Sequence, residues 1–164
     1  MNKAIWSVHQ VRGFTLIELM VSLSVLAIIT MIATPSLASA LENQKLKQAA
    51  IDLKIGLQQA RSQAVLTSSE QVVCPLSATT TQASCGAALH NYRHLNDMQK
   101  NQKITLVEMD PKVKLTNSSA QHIVFSAQGY TTEQTITLCA RQRSYAITVY
   151  MPGHVDMVQG AACS

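Results

Sequence analysis

The sequence predicts an α+β chain in which one long N-terminal helix packs on an antiparallel β-meander. Three observations lead there. Residues 14–33 form a twenty-residue apolar run with a single charged residue, Glu18. Beyond Pro35, the positions Leu46, Ala50, Leu53, Leu57, Ala60 and Ala64 recur at alternating spacings of four and three, the stripe of an amphipathic helix. After residue 67 the chain breaks into short runs rich in Val, Ile and Thr, separated by Gly, Pro, Asn and Ser, which read as strands and turns.

Composition narrows the field. The chain has 164 residues, room for one domain with an anchor or tail. Aromatic residues make up only 4%, so a core must be built from aliphatic side chains. The net charge is +4, but Lys3 and Arg12 precede the apolar run; without these two of the thirteen basic residues, eleven face nine acids. A balance of about +2 does not argue for a nucleic-acid or anionic-lipid partner.

The apolar run has the ~20 residues that cross a bilayer core as a helix. Basic residues ahead of it place the N-terminus in the cytoplasm and the remainder outside. It reads in three ways: a plain signal-anchor, a secretory signal cut after the small residues 38–40, or a segment processed at Gly13. The second fits poorly, because the run exceeds the usual 7–15 residues and carries an acid near its start.

The third reading rests on GFTLIEL at 13–19, which resembles the class III signal of type IV pilins and type II secretion pseudopilins. The resemblance implies that a prepilin peptidase cuts between Gly13 and Phe14 and methylates the new Phe14 amine. Glu18 then becomes the fifth residue of the mature chain. A carboxylate within a spanning helix costs ~2.5–3.5 kcal/mol on insertion scales, so it usually has a partner. The family supplies one in the α-amine of a neighbouring subunit's Phe14, an attraction that grows in a low-dielectric medium.

The helix is expected from Phe14 to Leu66, kinked rather than ended by Pro35. Residues 1–13 form the leader, 14–34 the membrane and polymerisation half, 35–66 the amphipathic half and 67–164 the β-rich domain. Within that domain, strands are expected at 71–74, 103–109, 112–115, 122–126, 134–140, 144–151 and 154–158. Segments 75–87 and 88–102 read as surface loops. Pro152–Gly153 suits a type II turn.

Cys74, Cys85, Cys139 and Cys163 lack CxxC spacing. Four cysteines beyond a membrane segment fit an oxidising compartment and two disulfides. Three pairings are open, and Cys74–Cys85 with Cys139–Cys163 is the expected one, since each closes a local loop.

A narrower resemblance spans most of the chain. QQARSQAVLTSSEQVVCP, IVFSAQGY, TITLC and YAITVYMPGHV are similar to the GspH/FimT group, the H-type pseudopilins and minor pilins. Ala60, Arg61 and Ala64 match its helix end, and Gly129 and Gly153 match its two glycines. The resemblance implies a filament subunit acting in assembly initiation or at the tip, with other pilins, the peptidase and the inner membrane as partners. Some FimT-like minor pilins instead take up DNA through a Gly-Arg-x-Arg motif that grips phosphates. This chain reads Gly153–His154–Val155–Asp156 there. Arg141 and Arg143, with Lys112 and Lys114, are the candidate substitutes, although they read as ordinary turn charges.

No catalytic constellation or cofactor motif is present in this reading. His90 and His94 stand four apart near Asp97, but their loop-like surroundings offer no third ligand, so no metal site is expected. Replacing Gly13 with Ala is expected to leave the leader uncut; immunoblots of membranes showing normal processing of Gly13→Ala would overturn the cleavage reading.

Overall fold

The computed structural model describes residues 14–77, 80–116, 118–141, 143–160 and 163. The leader, with Gly13, Arg12 and Lys3, lies outside the described residues. The chain divides into two compact units, Met1–Ser39 and Ala40–Ser164.

Helix α1 spans Leu16–Thr67, so Pro35 does not end it. In the first unit, every large apolar side chain from Leu16 to Leu37 is between 50% and 82% exposed. This stretch is long and apolar enough to cross a membrane. Its hydroxyls bond back to the helix: Ser22 Oγ donates to the Glu18 carbonyl at 2.8 Å, Ser24 Oγ to Met20 at 2.8 Å and Thr34 Oγ1 to Thr30 at 2.6 Å. Those polar groups therefore need no water, as a bilayer demands.

In the second unit, the predicted stripe is the seam of the core. Leu46, Ala50, Leu53, Leu57 and Ala64 are wholly removed from solvent. They pack on two sheets. Strands β1 (Gln71–Pro75), β2 (Ile104–Val107) and β4 (Ile123–Phe125) form one, ordered β2-β1-β4. Strands β3 (Lys114–Leu115), β5 (Gln134–Ala140), β6 (Arg143–Val149) and β7 (Val155–Gly160) form the other, ordered β3-β5-β6-β7.

The two sheets differ in how they are covered, and their sequences show it. In the four-stranded sheet Ile136, Leu138, Ile147 and Val149 enter the main core. Thr135 and Thr148 pair across β5 and β6, their hydroxyls 3.0 Å apart. That is the alternation of a half-buried antiparallel sheet. Strand β1 is buried along its whole length: Val73 joins the α1 cluster, whereas Val72 and Cys74 join a second cluster with Cys85, Leu89 and Ile104. A strand covered on both faces reads as an unbroken apolar run, here Val72–Val73–Cys74. The helix also approaches β2 closely at Gly56, where a Cβ would stand 2.8 Å from Val107 Cγ2.

Three local expectations are corrected. The meander is antiparallel through β5, β6 and β7, but β1 and β2 pair in parallel. Parallel neighbours need a crossover of a dozen or more residues, and residues 76–103 supply it. That segment is therefore not plain loop. It folds α2 (Gln82–Gly86), a 3₁₀ turn (Tyr92–His94) and α3 (Asp97–Lys103), with capping boxes at Thr81/Ser84 and Asn96/Gln99. The turn at Pro152 is also different. Gly153 N donates to the Tyr150 carbonyl at 2.7 Å and Tyr150 N to the His154 carbonyl at 2.9 Å. Met151 and Pro152 thus occupy the centre, and Gly153 follows them at φ +79°, a turn closed by a left-handed residue. Proline cannot supply a positive φ, so no type II turn forms around that bond.

Both cysteine pairs are joined: Cys74–Cys85 with Cα atoms 6.0 Å apart, and Cys139–Cys163 with Cα atoms 5.9 Å apart. The first holds α2 against β1; the second ties the C-terminal end to β5. A polar seam closes the α1 side. Glu42 Oε1 accepts from Lys112 Nζ at 3.1 Å, and Glu42 Oε2 pairs with Arg141 Nε. Lys45 Nζ reaches Asp110 Oδ2 at 2.7 Å.

Two outcomes follow from this packing. Leu53→Ala leaves a cavity under both sheets and should cost about 2–5 kcal/mol, measured by thermal unfolding of the full chain in detergent. The Lys45 hydrogen bond, helped by the Lys112 amide, holds the Asp110 carboxyl below its usual range. A lowered folded value adds stability above the unfolded pKa of ~3.9 and loses it as pH falls through the folded value. Asp110→Asn should therefore lower Tm at neutral pH and shrink the difference from the parent below about pH 4; equal gaps at both pH values would refute this.

Candidate functional site

The predicted processing and assembly residues meet at the start of α1. Phe14 is 87% exposed. Thr15, the residue before the helix, accepts a hydrogen bond on Oγ1 from Glu18 N at 3.3 Å. Glu18 lies in the first helical turn. Thr15–Leu16–Ile17–Glu18 thus has the spacing of a capping box, a local signal that the sequence itself carries. A carboxylate in the first turn is favoured by the helix dipole, and a positive charge at the same end is disfavoured. An ammonium at Phe14 would accordingly gain from an external carboxylate at that position.

The candidate phosphate-binding residues are not gathered into a free patch. Arg141 and Lys112 share the Glu42 carboxylate. Arg141 also bears a left-handed φ of +52° at the β5–β6 connection, where Ala140 pairs with Arg143. Arg143 and Lys114 are exposed strand residues. Asp156 Oδ1 accepts from the Met157 amide at 2.8 Å.

His90, His94 and Asp97 do not form a ligand set. The His90 amide donates to Glu70 Oε2 at 3.3 Å, and Asp97 Oδ1 meets Lys100 Nζ at 3.4 Å. Among the described residues, no three His, Cys, Asp or Glu side chains come together as ligands.

A second feature lies at the C-terminal end of α1. Two five-residue turns are built alike. Ser126 N donates to the Tyr130 carbonyl at 2.8 Å and Gly129 N to Ser126 at 2.8 Å, matching the Tyr150–His154 turn bond for bond. Gly129 and Gly153 both have φ +79°, a conformation that costs an L side chain energy. The turns touch: Thr131 N donates to the Met151 carbonyl at 3.2 Å, and a Cβ on Gly153 would collide with the Gly129 carbonyl. Arg61 lies across both. Its Cδ stands 2.8 Å from where that Cβ would be, and its Cγ 3.4 Å from the equivalent point on Gly129. The sequence resemblance singled out Arg61, Gly129 and Gly153 separately; the structure brings them together beside a cleft of about 660 Å³.

The chain matches the family described as type II transport protein GspH over residues 49–153, more than half of its length. The prokaryotic N-terminal methylation motif matches residues 9–34. No curated protein matches the chain. Among solved structures it is similar to the type IV minor pilin FimU of Pseudomonas aeruginosa strain PAO1, with 18% identity and a TM-score of 0.47, over 75% of this chain and 98% of that one. With a methylation motif leading into an exposed apolar helix, and a GspH domain behind it, the chain belongs to the GspH family and is a minor pilin or pseudopilin of the GspH/FimT type.

Proposed function

We propose that this chain is a non-enzymatic subunit of a type IV pilus or type II secretion filament, acting in assembly initiation or at the filament tip. The observation that carries the proposal is an acid in the first turn of a helix whose apolar side chains from Leu16 to Leu37 are all exposed. Before assembly the inner membrane covers those side chains, with the N-terminus cytoplasmic and the disulfide-bonded domain in the oxidising periplasm. A prepilin peptidase cuts after Gly13 and methylates Phe14. In the filament, neighbouring helices replace the lipid, and Glu18 pairs with the next subunit's Phe14 amine.

The charge arithmetic favours pairing between subunits. The Phe14 amine would sit at the positive end of its own helix dipole, where a cation is penalised by about 0.3–1 kcal/mol. A carboxylate from another chain offsets that penalty and removes the cost of its own burial. The alternative, a receptor for DNA uptake, loses Lys112 and Arg141 to Glu42, so we do not adopt it.

Glu18→Ala should be cut normally yet enter sheared filaments at about one tenth of the parental level, equivalent to ~1.4 kcal/mol. The measurement is an immunoblot of the filament fraction against the membrane fraction. Parental incorporation of Glu18→Ala would refute the pairing role, and uncut protein would show that the acid serves the peptidase instead.

A further inference from the structure

Arg61 is the cation whose position the fold explains and whose charge it does not use. Among the described residues, the ion pairs employ Lys45, Lys100, Lys112 and Arg141, while the Arg61 side chain takes part in no hydrogen bond or ion pair with them. Its stem is held against Gly129 and Gly153, so the guanidinium is presented with much of its side-chain freedom already spent. That lowers the cost of ordering it on a ligand.

Gln58, Ser62 and His154 line the same cleft as Arg61, and among the described residues no acid lines it. Ser62 Oγ donates to the Gln58 carbonyl at 3.0 Å, which fixes that hydroxyl. The surroundings are apolar and open. Val65 and Leu66 line the cleft at 51% and 78% exposure. On the two turns stand Tyr130, Tyr150 and Met151, also exposed, with the Tyr150 ring stacked on His154 at 6.2 Å. An apolar patch of this kind around a single oriented arginine has the composition of a protein interface. A nucleic-acid backbone would call for a run of cations rather than one.

We propose that this end of the domain is a docking surface for a partner protein, which it recognises through a segment carrying one carboxylate between apolar side chains. The carboxylate sits on Arg61 as a charge-assisted pair, and the flanking side chains lie on Val65, Leu66 and Met151. The inference rests on residues 40–164 alone. It is independent of the Glu18 pairing, so either can fail without the other.

The test is a titration of the full chain in detergent micelles, followed through the ring NMR signals of Tyr130, Tyr150 and His154. The probes are acetyl-Leu-Val-Asp-Val-Leu-amide, the same peptide with Asn for Asp, and a single-stranded oligonucleotide. Saturable shifts with the Asp peptide, and binding of the Asn peptide weaker by about tenfold, are expected. Arg61→Gln should bring the Asp peptide down to the level of the Asn peptide, with Arg61→Lys recovering part of the loss. No saturable shift, equal binding of the two peptides, or an Arg61→Gln chain of unchanged Tm that binds as before would each overturn the proposal. Arg61-dependent binding of the oligonucleotide with none of the peptide would also overturn it, in favour of a nucleic-acid surface. The Asp/Asn comparison on the unaltered chain needs no variant and stands even if Arg61→Gln unfolds.

Discussion

Leu46, Ala50, Leu53, Leu57, Ala60 and Ala64 of α1 exclude water from both sheets at once, and the second unit is organised around that contact. The stripe combines large and small residues. Leucines fill space over the sheets, and alanines with Gly56 let the backbone approach them. The approach to β2 is close enough that Gly56 could not carry a side chain without displacing Val107. Neither sheet buries its inner face without the helix, which covers Ile123 and Phe125 of the three-stranded sheet and Ile136 and Ile147 of the four-stranded one. The polar contacts of Glu42 and Lys45 then fasten the margins. As partly exposed pairs they contribute little individually, and serve mainly to hold the β2–β3 loop and the β5–β6 hairpin against α1.

What the sequence made legible follows from which forces act locally. The α1 stripe and the alternation in β5 are each dictated by neighbours a few residues away, and pattern alone finds them. The parallel pairing of β1 and β2 is decided by a crossover of 28 residues, from Leu76 to Lys103, and no local pattern reports which edge a strand will join. Helices α2 and α3 are too short and too polar for apolar periodicity. The cap of α3 is nevertheless readable, since Asn96 and its reciprocal partner Gln99 stand three apart, whereas Thr81 has Ser84 in place of the usual Glu or Gln. The pairing of Arg141 with Glu42 joins positions almost a hundred residues apart and is set by the packed core. Arg61 was visible as part of a motif, but only the folded chain shows that both glycine turns are shaped around it.

The GspH-type domain therefore shows two kinds of use for glycine and arginine. At Gly153 and Gly129 the missing side chains make room for the Arg61 stem, and the guanidinium remains outside any internal pair. At Arg141 the backbone itself takes the left-handed conformation, a cost of order 1–3 kcal/mol for a non-glycine residue, and the side chain is consumed by Glu42. The difference is informative. A cation that tolerates backbone strain to reach an acid is part of the scaffold, whereas one held in place without an acid is positioned for something outside the chain.

The same logic applies to Glu18 at the other end of α1. Its amide is already bound by Thr15 Oγ1, and its place in the first turn is one that the helix dipole favours, so the acid helps to begin the helix that carries it. Those gains are worth a fraction of the ~2.5–3.5 kcal/mol that an acid costs within a membrane. The local structure therefore lessens the burden without removing it. On the proposed reading, the remainder is what drives a subunit to its neighbour. The acid alone is unfavourable in lipid, the Phe14 amine alone is unfavourable at the positive end of a helix, and contact between two chains relieves both at once. Because the exposed apolar side chains around Glu18 are non-directional, they supply attraction without register, and this one pair of charges sets how far one helix slides along the next.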